Sequence, residues 1–163
     1  MTKTYIGIDV GSHGFISVQQ DGHWDFLSII ESDLHTIFLY LSDIKRNHSL
    51  LTCVIEDVFA IYGSSAKATF QFGFNKGYLI GLLSACEIPY TLVTPKVWQR
   101  EMWINADKVY KDGKRIDTKA TSINATKRLF PSIDLRRTSS CKNIDDNKCD
   151  SMLMCEYGRR KNL

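Results

Sequence analysis

Apolar positions along the chain recur with two periods, and the change from one to the other marks out the elements. Residues 4–10 and 15–20 are short apolar runs, and Asp21-Gly22 is a strong hairpin turn signal ahead of a third run at 23–30. Three antiparallel strands are therefore predicted to open the fold. The spacing then lengthens to that of a helix at Leu34, Ile37, Phe38, Leu41 and Ile44, with Ser32 or Asp33 placed to cap it. Residues 51–55 read as a buried strand that ends at Glu56 and Asp57, and Tyr62-Gly63-Ser64-Ser65 reads as a loop.

A long helix is predicted over 66–86, a strand over 88–93, and a short helix carrying Trp98 behind Thr94-Pro95, an N-cap and first-turn pair. Residues 104–117 are polar and turn-rich and are expected to form a mobile loop. Asp117 or Thr118 starts a further helix that ends near Leu129-Phe130-Pro131, and a last helix runs from Asp145 to about Arg159 with Met152, Leu153 and Tyr157 available to pack. This order predicts an α/β fold, a mixed five-stranded sheet of three antiparallel N-terminal strands and two further strands, flanked by helices. Gly73, Gly77 and Gly81 lie four apart on the long helix, where each glycine costs about 1 kcal/mol relative to alanine. Tight packing of that helix face on the sheet is the expected compensation. Their spacing matches neither nucleotide-binding glycine loop, so no nucleotide cofactor is expected.

Composition narrows the class. With 163 residues, 44% of them apolar, the chain suffices for one well-cored domain. The longest helical apolar run, 78–86, is less than half a bilayer span, and the N-terminal residues lack the apolar core of a secretory signal, so a cytoplasmic protein is expected. Five cysteines, odd in number and never spaced as CxxC, suggest reduced thiols and no zinc knuckle. The net charge of +3 conceals a division: residues 1–93 carry five basic and nine acidic side chains, 94–142 carry twelve and five, and 143–163 carry four of each. The basic middle, with Lys96, Arg100, Lys114, Arg115, Lys119, Lys127, Arg128, Arg136 and Arg137, suits multiple phosphate contacts; Lys76 adds a cation on the long helix.

Four carboxylates sit where chemistry wants them. Asp9 follows the first apolar strand and precedes Gly11 and Gly14, which would let a substrate approach the backbone, and Glu56 closes a second buried strand. Asp146 and Asp150 are four apart and share a helix face, where like charges destabilise the helix modestly and a shared cation compensates. An oxygen-only donor set suits Mg²⁺ or Mn²⁺, and two such ions serve phosphodiester hydrolysis.

Residues 5–18, 54–58 and 145–160 together resemble the RuvC-like Holliday junction resolvases, most closely their small phage and prophage branch; further matches fall at 63–81, 94–98, 117–119 and 129–131. The resemblance implies an RNase H-like fold over a single nuclease domain spanning 1–163 and a two-fold homodimer. It further implies paired symmetric nicks in a four-way DNA junction, by divalent-metal chemistry with two Mg²⁺ or Mn²⁺ ions per site, in DNA recombination and repair within a bacterial or phage-infected cell. It assigns Asp9, Glu56, Asp150 and Asp146 to the metal and places Lys119 near the scissile phosphate. Asp145 stands where that branch commonly has histidine, which leaves Asp145 and Asp146 as rivals for the metal, with the spacing to Asp150 favouring Asp146. Phe70, Phe72 or Phe74 would wedge into the opened junction by base stacking. Three alternatives remain at this level. They are a nuclease acting on RNA:DNA hybrid or other branched DNA, a catalytically silent junction-binding protein on the same fold, and a sugar-kinase or actin-type ATPase. The last shares the Gly-Ile-Asp-x-Gly strand but needs two domains.

Overall fold

The computed structural model describes residues 3–58 and 65–163; the Tyr62-Gly63-Ser64 part of the predicted loop lies outside them. Strands β1 (Thr4–Ile8), β2 (Phe15–Gln20) and β3 (His23–Ser28) form the expected antiparallel meander. Its hairpin turns on Asp21 and Gly22, both at positive φ (51° and 83°) as a two-residue turn between right-twisting strands requires. Helix α1 (Leu34–Asn47) follows, capped by the Asp33 carboxylate on Thr36 N–H at 2.7 Å. Strand β4 (Leu51–Glu56) then enters beside β1, in parallel. After helix α2 (Ala66–Ala85), β5 (Tyr90–Val93) pairs parallel to β4, completing a sheet in the order β3-β2-β1-β4-β5.

The period of two along each strand divides the core. Ile6, Ile8, Cys53 and Ile55 face α1 and α2, where Ile37, Leu41, Ile44, Leu79 and Leu83 close over them. Val54 and Val93 face the other way, toward helices α3 (Pro95–Met102), α4 (Thr118–Leu129) and α5 (Asp146–Lys161), and pack with Trp98, Met102, Ala125, Leu153, Met154 and Tyr157. Gly7 lies on this second face, and α5 crosses so close that a Cβ there would stand 2.0 Å from Ser151 O and 2.4 Å from Cys155 N. The backbone contact at Gly7 thus sets how near the last helix sits to the sheet. The five cysteines are unbridged, and no helix among the described residues is long and apolar enough to cross a membrane.

Two expectations are corrected. Gly73, Gly77 and Gly81 do not mediate close packing: a Cβ at any of them would meet nothing within 4 Å, because α2 buries Asn75, Leu79 and Leu83 and turns its glycines outward. Their helix-propensity cost is uncompensated by packing within this chain. The polar stretch 104–117, expected as a loop, contains regular structure. It holds a 3₁₀ turn at Asn105–Asp107 and a small hairpin of β6 (Tyr110–Lys111) and β7 (Arg115–Ile116), turning on Asp112 and Gly113 at positive φ (53° and 68°). Buried Asp107 anchors it, taking Arg128 in a fork at 2.8 and 2.9 Å and Ile104 N–H at 2.9 Å.

Candidate active site

Asp9 and Glu56 become neighbours through strand register. Ile8 lies opposite Ile55 in the parallel β1–β4 pair, so the next residue on each strand carries its carboxylate at the same edge of the sheet. Because Gly7 and Val54 face α5, alternation turns Asp9 and Glu56 to that side too. The first turns of α5 bring Asp146 and Asp150 to the same edge.

The surroundings make three of them, Asp9, Glu56 and Asp150, costly to ionise. Asp9 is only 6% exposed, and its Oδ1 accepts one hydrogen bond, from Gly11 N–H at 2.9 Å. Burial, then the charges of Asp146 and Asp145, raise its pKa from 3.8 to about 6 against the pull of Gly11 and Lys119. Glu56 is raised to about 7 by burial and by Asp9, opposed by the Trp98 indole N–H, which donates to Oε1 at 3.2 Å. Asp150 lies well above the usual carboxylate range through burial and the charges of Asp9, Glu56 and Asp146. The Ser122 hydroxyl pulls the other way, more than either Glu56 or Asp146 pushes, although neither Ser122 Oγ nor Asp150 Oδ1 has a partner in good hydrogen-bonding geometry.

The Asp145-Asp146 pair is divided between two tasks. Asp145 caps α5, accepting from Asn147 N–H at 3.0 Å and Lys148 N–H at 3.3 Å, and pairs with Arg137 at 2.6 Å. Asp146 is one residue further into the helix, where its carboxylate meets Lys119 Nζ at 2.8 Å. Lys119 rises from the start of α4, which Asp117 caps on Ala120 N–H, and its side chain is otherwise mostly exposed.

Oxygen donors, a buried carboxylate oxygen without a partner and mutual repulsion are what a hard divalent cation would relieve. The donor set fits such an ion in kind. Among the described residues, however, no three His, Cys, Asp or Glu side chains close into a ready-made cage. Gly14 serves the turn itself, since a Cβ there would stand 2.0 Å from Asp9 O; Gly11 would place one 3.3 Å from Asp9 Oδ1, at the carboxylate.

The predicted phosphate contacts separate into two groups. Lys96, Arg100, Lys114, Arg115 and Lys127 are exposed, Arg115 with Asp112 4.0 Å away. The others are engaged internally: Lys76 with Asp57, Arg128 with Asp107 and Met102 O, Arg136 with Asp134 at 2.7 Å, and Arg137 with Asp145. Of the three phenylalanines, Phe72 packs against the core, whereas Phe70 (73% exposed) and Phe74 (50%) project from α2. Sequence reasoning missed Trp98 as the partner of Glu56, and Arg137 as anything beyond a basic residue. The Thr-Pro start of α3 signals the helix that carries Trp98, and nothing local signals Arg137.

No family model matches the sequence, and no curated protein matches it. Solved structures do. The chain is similar to Thermus thermophilus RuvC in complex with a Holliday junction substrate, at 8% identity and TM-score 0.60 over 98% of this chain and 96% of that one. It is likewise similar to a second Thermus thermophilus RuvC structure, at 12% identity and TM-score 0.57 over 99% and 97%. Identities this low speak to the fold, and on that measure the chain has the α/β, RNase H-like fold of these two RuvC structures across nearly its whole length.

Proposed function

We propose that the chain is a divalent-metal-dependent endonuclease that resolves four-way DNA junctions by paired symmetric nicks, working as a homodimer of single nuclease domains in the cytoplasm. One observation carries the reading: Asp9, Glu56 and Asp150, from two parallel strand ends and one helix, are buried so close together that Asp9 raises the pKa of both Glu56 and Asp150, and Glu56 that of Asp150. Structure alone gains nothing from that cost, and functional sites are where such costs are retained. The fold likeness to a protein described in complex with a Holliday junction substrate supports the substrate class.

In this reading Asp9, Glu56, Asp150 and Asp146 hold Mg²⁺ or Mn²⁺. When bound, the metal supplies Lewis-acid polarisation of the phosphate and a more acidic water. Asp9, whose charge both Glu56 and Asp150 feel, would be the carboxylate central to that set. Trp98 fixes the Glu56 carboxylate through its indole N–H, and Gly11 N–H fixes that of Asp9. Lys119, held on Asp146, presents a cation at the mouth of the site, where it would stabilise charge developing on the scissile phosphate. Lys96, Arg100, Lys114, Arg115 and Lys127 would hold junction arms as exposed cations, and Phe70 or Phe74 would stack on the opened bases. A two-fold dimer presents one site to each of two equivalent strands. The test is Asp150→Asn: nicking of a labelled four-way junction is lost while junction affinity stays within about threefold of wild type. Nicking by clean Asp150→Asn protein at the wild-type rate refutes the assignment.

A further inference from the structure

Arg137 is unlike the other basic residues of the 94–142 stretch. Its side chain is 15% exposed, and its guanidinium reaches three separate parts of the chain. Nε donates to Asp145 Oδ2 at 2.7 Å, Nη1 to Ser28 Oγ at 2.7 Å, and Nη2 to His13 O at 2.9 Å, while Cζ lies 4.7 Å from the centre of the Phe15 ring. Those partners are the N-cap of α5, the end of β3, and the turn that follows Asp9. The base of the arginine is equally fixed. Lys148 Nζ donates to Asp134 O at 2.9 Å and Arg136 O at 3.1 Å, Asp145 N–H donates to Leu135 O at 2.9 Å, and Arg136 bridges to Ile144.

We infer that Arg137 is a positioning residue for the carboxylate site: its guanidinium locks the 11–14 turn behind Asp9 to the N-cap of α5, the helix that carries Asp146 and Asp150, and it occupies Asp145 so that Asp146 is left to face the site. The inference rests on the nuclease reading for its consequence and on the hydrogen-bond geometry for its existence. A planar fork is required, because one group must meet a carboxylate, a hydroxyl and a carbonyl in different directions at once. A lysine has three donors, but they share one nitrogen and cannot take the separate positions of Nε, Nη1 and Nη2. Groups that orient ligands in this way typically alter metal affinity by about 10- to 100-fold when removed.

The test compares Arg137→Gln, Arg137→Lys and Asp107→Asn, the last breaking a buried ion pair away from the site. Amide exchange is measured first, without metal. Gly14 N–H, bonded to Gly11 O at 2.9 Å, and Ile29 N–H, bonded to Gly14 O at 2.9 Å, report the clamped turn. In Arg137→Gln both are expected to exchange at least about tenfold faster while β4 amides keep their wild-type rates, and Arg137→Lys is expected to recover little of the difference. Mn²⁺ binding by calorimetry is then expected to weaken about 10- to 100-fold in both Arg137 variants and to stay within about twofold in Asp107→Asn. Where Arg137→Gln does not fold, Arg137→Lys carries both comparisons. Unchanged Gly14 and Ile29 exchange overturns the inference whatever the wild type binds, and so does an Arg137 variant that loses thermal stability but keeps wild-type Mn²⁺ affinity. A wild type that binds no Mn²⁺ fails the nuclease reading and the positioning role with it, with the exchange data still reporting whether the clamp exists.

Discussion

The metal-free site should destabilise the fold, and Asp9→Asn is the substitution that reveals by how much. Asp9 titrates at an ordinary 3.8 in the unfolded chain and at about 6 in the folded one. The folded state therefore holds the proton more tightly, and deprotonation opposes folding. The penalty is absent well below 3.8, grows as pH rises through the window, and is complete above about 6. Two pH units correspond to about 3 kcal/mol. Asparagine keeps the shape and still accepts from Gly11 N–H, but carries no charge. Since Asp9 also adds to the burden on Glu56 and Asp150, its removal relieves them as well. For a chain of this size each kcal/mol moves the melting midpoint by about 2–4 °C, so Asp9→Asn in chelator at pH 8 is expected to melt roughly 6–12 °C above wild type. By pH 4 the difference should nearly vanish. Thermal melts of both proteins across that range, followed by circular dichroism, check it. A variant less stable than wild type at pH 8, or a difference independent of pH, refutes the electrostatic account.

Other consequences follow from the same geometry. Because a metal must displace protons from Asp9, Glu56 and Asp150, Mg²⁺ affinity is expected to rise steeply from pH 5 to 8 with net proton release, measurable by calorimetry in buffers of different ionisation enthalpy. Trp98→Phe removes the N–H that favours ionised Glu56, so that pH dependence should move upward, with a loss of about 1 kcal/mol in stability. Gly7→Ala drives a Cβ into the α5 backbone and should cost about 3 kcal/mol or more, read as a denaturant midpoint. Gly77→Ala meets open space on an exposed helix and should stabilise the isolated chain by roughly 0.5–1 kcal/mol in the same assay.

What could be read from sequence divides along physical lines. The five-stranded sheet and its helices were legible because each element is long enough to show its period, and the Asp21-Gly22 turn because its φ requirement restricts the residues it accepts. Asp9 and Glu56 were legible because a carboxylate that ends an apolar strand is chemically out of place. The hairpin of β6 and β7 was not, since two residues per strand show no alternation and its anchor, Asp107 with Arg128, is tertiary. The α2 glycines were misread because propensity records that a glycine is costly without recording which way it faces. Arg137 is the clearest case: its partners lie 8, 109 and 124 positions away, so in sequence it was one more cation in a basic stretch. The division of Asp145 from Asp146 depends on the same distant contact, because Arg137 takes the capping carboxylate and leaves its neighbour to Lys119.

The central claim is that the buried carboxylates serve hydrolysis of branched DNA. It is tested most directly by offering the protein, with Mg²⁺ and with Mn²⁺, a labelled four-way junction, plain duplex, a flap and an RNA:DNA hybrid, and mapping the products. Symmetric paired nicks on opposed strands of the junction, dependent on the metal and missing from the duplex, are the predicted result. Cleavage of the hybrid in preference to the junction, or cleavage of nothing by protein that binds the junction, would contradict it.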